Sequence, residues 1–251
     1  MAGDAPKGSS TLRPMTTRAG FTIDVVGAGP AYTDRPGATG ASYLVRTEET
    51  AVLLDLGQGS FSRLAGLVEP STLDAVVISH LHPDHFIDLV ALRHYLRWEF
   101  DPPRRVRVLG PAGLADRIDA LHGESGFAAQ SFDTETLGTG ERVIGDLRMR
   151  ATLVHHTAES YGIRVAPASG GPGLVYSGDC GRATDLAPLL EPGDTLLSEV
   201  SFGPCRPGRS PSGYGSGGPV PHRSTPRGCR RPARPGAGRP SPRDPVRTRP
   251  R

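Results

Sequence analysis

The chain has 251 residues, enough for one sizeable α/β domain or two small ones. Its net charge of +3 averages two unlike parts: residues 1–203 carry 17 Lys and Arg against 25 Asp and Glu, a net −8, whereas residues 204–251 carry 12 Arg against the single acid Asp244, a net +11. An acidic folding part removes overall basicity as an argument for a nucleic-acid binder, and three cysteines make no disulfide framework. No apolar run reaches membrane-spanning length and residues 1–19 lack the apolar centre of a signal peptide, so the default location is cytoplasmic.

In chain order, residues 1–19 are polar and unpatterned and read as a disordered leader, with Met15 as an alternative start. Residues 21–27, 41–47 and 51–56 are β-branched and aliphatic runs that predict three strands. Gly27-Ala28-Gly29-Pro30 imitates a nucleotide-binding turn, but Tyr32 replaces the third glycine and Pro30 and Pro36 spoil a helix start. Helical spacing appears over 60–68, and residues 74–79 predict a strand. A helix is expected over 85–100, a strand over 106–109, and a helix from Pro111 to Leu121. Strands follow over 147–156, 161–166 and 174–177, then a helix over 183–190 and a strand over 195–200. This alternation predicts a layered α/β domain over residues 20–203 with a mixed sheet. Residues 204–251 contain 12 Arg, 12 Pro, 8 Gly and 5 Ser, with no Leu, Ile, Phe, Met or Trp. Such a tail cannot bury a core and is expected to be disordered.

His80-Leu81-His82-Pro83-Asp84-His85 places four metal-binding side chains in six residues directly after a buried strand. In an extended segment side chains two apart point the same way, so His80 and His82 can meet at one cation. Asp84 and His85, beyond the turn at Pro83, can face a neighbouring one. Imidazole and carboxylate donors suit zinc and its first-row neighbours. His155 and His156 end a predicted strand, so only one of them reaches the same place. Asp179 follows another short strand and is either a carboxylate bridging two cations or the cap of the next helix. Asp55 ends the third strand and is either an acceptor behind a ligand imidazole or the cap of the following helix.

Leu54-Asp55-Leu56-Gly57, His80–His85, the stretch His156–Arg164, Ser177-Gly178-Asp179 and Leu196–Glu199 together resemble the metallo-β-lactamase superfamily. The His156–Arg164 stretch resembles its ribonuclease Z-like and cyclic-nucleotide phosphodiesterase branch. The resemblance implies a four-layer αβ/βα sandwich with two zinc or manganese ions between the sheets. By position it implies His80, His82 and His156 on the first metal, Asp84 and His85 on the second, and Asp179 bridging. His156 is taken over His155 because it stands five residues before Tyr161. The family's last ligand, a histidine in a Thr-His setting after a further helix and strand, has no counterpart; His222 has no strand to carry it. The fold is therefore expected to be incomplete at the C-terminus, and the Arg/Pro/Gly composition predicts a frameshift near residues 203–207 of a GC-rich gene.

The implied activity is a metal-dependent hydrolase in which a water bound between the metals attacks phosphorus in line and Asp84 accepts its proton. Tranfer-RNA-processing members carry a long arm between the positions of His156 and Asp179, and the 23 residues of that interval leave no room for it. A small phosphodiester such as a cyclic nucleotide is thus the expected substrate. The alternatives are tRNA 3′-end cleavage, a thioesterase of the hydroxyacylglutathione hydrolase type, or a weak mono-metal remnant. Homodimers are common in the resembling family.

Overall fold

The computed structural model describes residues 16–18, 21–32 and 36–198. The expected tail with His222 lies outside the described residues, as does the expected leader apart from Thr16–Arg18. That short piece is a strand (β1) paired antiparallel with Phe21–Gly27 (β2), inside the stretch expected to be disordered.

Ser42–Arg46 (β3) and Ala51–Leu54 (β4) continue the sheet as an antiparallel meander. Ala75–Val77 (β5), Val106–Gly110 (β6) and Phe132–Thr136 (β7) then add in parallel, giving seven strands in the order β1 to β7. Parallel neighbours need crossovers. Phe61–Ala65 (α1), Leu89–Trp98 (α3) and Leu114–His122 (α4) supply them, with the single turn Pro83–Phe86 (α2) just before α3. The second sheet holds Gly140–Ile144 (β8), Leu147–Leu153 (β9), Tyr161–Pro167 (β10), Leu174–Tyr176 (β11) and Thr195–Leu197 (β12), in the order β12-β11-β10-β9-β8.

Strand periodicity sorts the core into layers. Tyr43 and Val45 of β3 face the second sheet, meeting Met149, Ile163, Val165 and Tyr176. Leu44 between them faces the helices, among Leu53, Val76, Val108, Leu64, Leu89, Leu92, Leu96 and Ile118. On the outer side of the second sheet, Val154 and Val175 meet Leu186 and Leu189 around a 3-10 turn, Ala183–Leu186. Helices, sheet, sheet and this turn make four layers, the last of them thin among the described residues.

Two helices and two strands depart from the sequence expectations. The helix expected over 85–100 is broken, because the Asp88 amide donates to Leu56 O and the Leu56 amide to His85 O, drawing the chain onto the end of β4. The helix expected over 183–190 is one 3-10 turn; Pro188 has no N–H to continue it and restricts the residue before it. Strands β7 and β8 escaped the pattern because they are polar edges. β7 is joined to β6 by a parallel backbone ladder, and instead of apolar alternation its exposed Asp133 and Glu135 pair with Arg105, just before β6, and Arg107.

Near the far end, Arg164 of β10 makes a two-pronged contact to Asp194, with Nε at 2.8 Å and an Nη at 2.9 Å. The amides of Gly173 and Glu191 also donate to this carboxylate, which fixes the approach to β12. Burial alone raises the Asp194 pKa, but these donors outweigh it and hold the group below the usual carboxylate range. A carboxyl whose pKa folding lowers adds stability above its unfolded value, near 3.9, and that stability is lost as pH falls through the lower folded value. Asp194→Asn is therefore expected to lower the thermal midpoint at neutral pH and to flatten its fall below about pH 4. An acid limb identical to the parent's contradicts this assignment.

Candidate metal centre

Strand β5 ends at Val77, and the chain runs on through Ile78–His82, with a bend at Leu81, before Pro83, at the first helical position, opens α2. His80 and His82 leave the sheet edge on this irregular segment, whereas Asp84 and His85 ride one helical turn. That turn sits tightly on the loop after β4: a Cβ on Gly57 would lie 1.9 Å from Asp84 O, so only glycine allows the approach. From the second sheet, His156 comes from the loop between β9 and β10, and Asp179 from the bend after β11. Because β9 stops at Leu153, the strand alternation expected for His155 and His156 does not apply. His156 enters the cluster, while the exposed His155 donates its amide to Asp185.

The donors converge. His82 Nδ1 lies 3.1 Å from His80 Nε2 and 3.0 Å from His156 Nε2. Asp179 Oδ2 lies 3.6 Å from His80 Nε2 and 3.4 Å from His156 Nε2. One donor atom from each of these four residues falls within 4.8 Å of every other. A tetrahedral site with bonds of about 2.0–2.1 Å has edges of about 3.3–3.4 Å; the four pairs above lie near that spacing, and the remaining two lie within 4.8 Å. On the other side, His85 Nε2 stands 3.1 Å from Asp179 Oδ1 and 3.6 Å from Asp84 Oδ2. Asp179 Oδ1 is sealed from solvent without a well-directed hydrogen-bond donor, an orphaned acceptor suited to a cation. The donor set thus fits divalent metal, with one carboxylate oxygen turned to each side.

Behind the donors stands Asp55, fully buried. It does not cap α1, which starts after Ser60; Asp88 instead receives the Phe61 amide. Asp55 Oδ1 accepts from the Ser79 amide at 2.7 Å. Its Oδ2 accepts from Ser79 Oγ at 2.7 Å, Tyr176 Oη at 2.6 Å and His85 Nδ1 at 2.7 Å. Ser79 Oγ, having given its proton to Asp55, can only accept from His80 Nδ1, 3.1 Å away. Both imidazoles thereby carry hydrogen on Nδ1 and turn Nε2 to the centre. Asp55 adopts φ +57, a left-handed conformation that costs a non-glycine residue about 1–2 kcal/mol. Its four donors offset that strain. Ser79 and Tyr176 escaped the sequence reading; Tyr176 looks like one more apolar position of β11 until its hydroxyl is placed.

Protonation states agree with this wiring. Burial, and then the charge of His85, push His80 down to about 3, so it is a neutral donor. Burial likewise lowers His156. Asp179 is raised by burial but lowered further by its contacts with His85, and is ionised. His85 is lowered by burial yet carried up to about 10 by the Asp55 and Asp179 carboxylates beside its ring. Asp84 is partly exposed, with Oδ2 3.6 Å from His85 Nε2. Asp179 is no helix cap, since the 3-10 turn starts after Arg182.

Tyr176→Phe removes one donor to Asp55 while keeping the ring, and is expected to cost about 1–2 kcal/mol. That corresponds to a fall of roughly 2–4 °C in thermal midpoint per kcal/mol, measurable by calorimetry. Asp55→Asn turns an amide N–H toward existing donors and is expected to weaken zinc binding at least about 10-fold in a chelator competition. Unchanged affinity in Asp55→Asn would show that the imidazoles do not depend on it.

Residues 50–212 match the beta-lactamase superfamily domain. An uncharacterized protein of Mycobacterium leprae is 34% identical over 174 residues, which are 66% of this chain and 61% of that protein. The chain thus spans about three fifths of that relative's length. The probable metallo-hydrolase YhfI of Bacillus subtilis is 25% identical over 190 residues, 72% of each chain. The crystal structure of YhfI, a metallo-β-lactamase fold protein, superposes with a TM-score of 0.59 at 20% identity over 70% of each chain. The short form of human tRNase Z gives 0.52 at 22% identity over 66% of this chain and 73% of that one, again a likeness of fold. The two-sheet fold expected from the sequence is the fold of these proteins, and with the domain match over most of its described length the chain belongs to the metallo-β-lactamase superfamily.

Proposed function

We propose that the protein is a metal-dependent phosphodiesterase acting on small phosphodiesters, such as a cyclic nucleotide. His80, His82, His156 and Asp179 would hold one divalent cation, and Asp84, His85 and Asp179 a second. The nitrogen-rich first set favours zinc, with manganese as the alternative for the more oxygen-rich second. When bound, such cations polarise a phosphoryl oxygen and make water acidic near neutral pH.

The chain's own residues do the rest. Asp179 splits its two oxygens between the sets and fixes their separation. Asp55, through Ser79 and directly through His85, keeps two imidazoles from rotating. Asp84 orients the attacking water and accepts its proton. Ser79 and the buried wall of β5 and β11 exclude bulk water from the floor of the site.

Substrate size is argued from the chain between His156 and Asp179. Strands β10 and β11 occupy it, joined by residues 168–173 alone, so no extended arm leaves the second sheet at that point. This favours a small ester over tRNA, the substrate class named for human tRNase Z, which stands as the second reading because of the shared fold. No helix among the described residues is long and apolar enough to cross a membrane.

The test is turnover of bis-p-nitrophenyl phosphate, cyclic AMP, a tRNA precursor with a 3′ trailer and S-lactoylglutathione. The two small phosphodiesters are expected to be hydrolysed, chelation to abolish the reaction and zinc or manganese to restore it. Asp84→Asn is expected to lower kcat by about 10²–10⁴-fold. Cleavage of the precursor alone would support the tRNA reading, thioester cleavage alone the thioesterase reading. Metal binding without turnover of any substrate would indicate the remnant.

A further inference from the structure

None of the four first-set donors lies within a strand or helix, and His156 sits in the loop between β9, which ends at Leu153, and β10, which starts at Tyr161. Within the loop, the Val154 amide donates to Ser160 O, the Thr157 amide to Ser160 Oγ, and the Thr157 and Ser160 hydroxyls meet at 2.6 Å. These bonds close the loop on itself but do not aim it. On one flank, Asp185 accepts the His155 amide and His155 O accepts the Gly181 amide, tying the loop to its own sheet. On the other flank, half-buried Glu159 reaches across to the opposite layer, where its Oε2 accepts the Ala112 amide at 2.8 Å, just before α4.

We propose that Glu159 is a positioning residue for His156. Its carboxylate braces the second-sheet loop against the layer that carries His80, His82, Asp84 and His85. It thereby sets the 3.0 Å gap between His156 Nε2 and His82 Nδ1. A carboxylate accepting a backbone amide is among the stronger neutral–charged hydrogen bonds, and it acts over only three residues of chain, from Glu159 to His156. The inference rests on His156 being a metal ligand.

Cobalt(II) loading of the full chain separates the two questions, because the visible d–d bands report coordination geometry independently of turnover. In the parent, cobalt is expected to give tetrahedral-type bands that His156→Ala abolishes. If His156→Ala binds and absorbs like the parent, the ligand assignment itself fails. Glu159→Ala is expected to weaken cobalt binding about 10-fold and to weaken or shift the bands. Glu159→Gln, whose amide oxygen still accepts the Ala112 N–H, is expected to restore both. The positioning role is overturned if Glu159→Ala matches the parent in affinity and spectrum. It is equally overturned if its loss is not restored by Gln and is matched by a lower thermal midpoint of the metal-free protein.

Discussion

The site depends on one buried carboxylate. Asp55 has no solvent exposure and a backbone conformation that disfavours any residue with a Cβ, yet it gathers four donors from three parts of the chain. Ser79 lies two residues past β5, His85 on α2, and Tyr176 on the second sheet. A single anion therefore does two jobs, registering the two sheets at their facing edges and fixing the tautomers of two imidazoles. Leaving any of these donors buried without its acceptor costs about 1–3 kcal/mol each, which makes the arrangement cooperative. Strain at Asp55 is thus tied to the geometry of the cluster it supports.

Tight backbone approach is the second constraint. The loop after β4 can bring Asp55 under α2 only because Gly57 presents no side chain to Asp84 O. Sequence places Asp55 and Gly57 two residues apart, and the fold uses the first for charge and the second for space. Gly178 does similar work beside Asp179: it takes φ +52, and a Cβ there would lie 2.9 Å from Tyr161 O.

Much of this was legible in the sequence, for identifiable reasons. The strands that feed the site are continuous aliphatic runs, and the residues 80–85 motif is dense enough that its chemistry does not depend on knowing the fold. The six residues from His80 to Asp179 that sequence singled out as donors lie together, and Asp55 stands behind them. What stayed hidden is of two kinds. Polar edge strands such as β7 are set by partners brought close only on folding, here Arg105 and Arg107. Hydroxyls such as Ser79 Oγ and Tyr176 Oη acquire their role from direction, which spacing does not encode. The choice of His156 over His155, made by resemblance, names the residue that lies in the cluster, although the strand alternation offered for it does not extend past Leu153.

The central claim is that Asp55 holds His80 and His85 with hydrogen on Nδ1 and Nε2 turned to the cluster, while His82 presents Nδ1. Long-range proton–nitrogen correlation spectra of the zinc-loaded, nitrogen-15-labelled protein read these tautomers directly. The account predicts Nδ1–H for His80, His85 and His156 and Nε2–H for His82. Nε2–H on His80 or His85, or tautomers unaltered by Asp55→Asn, would contradict it.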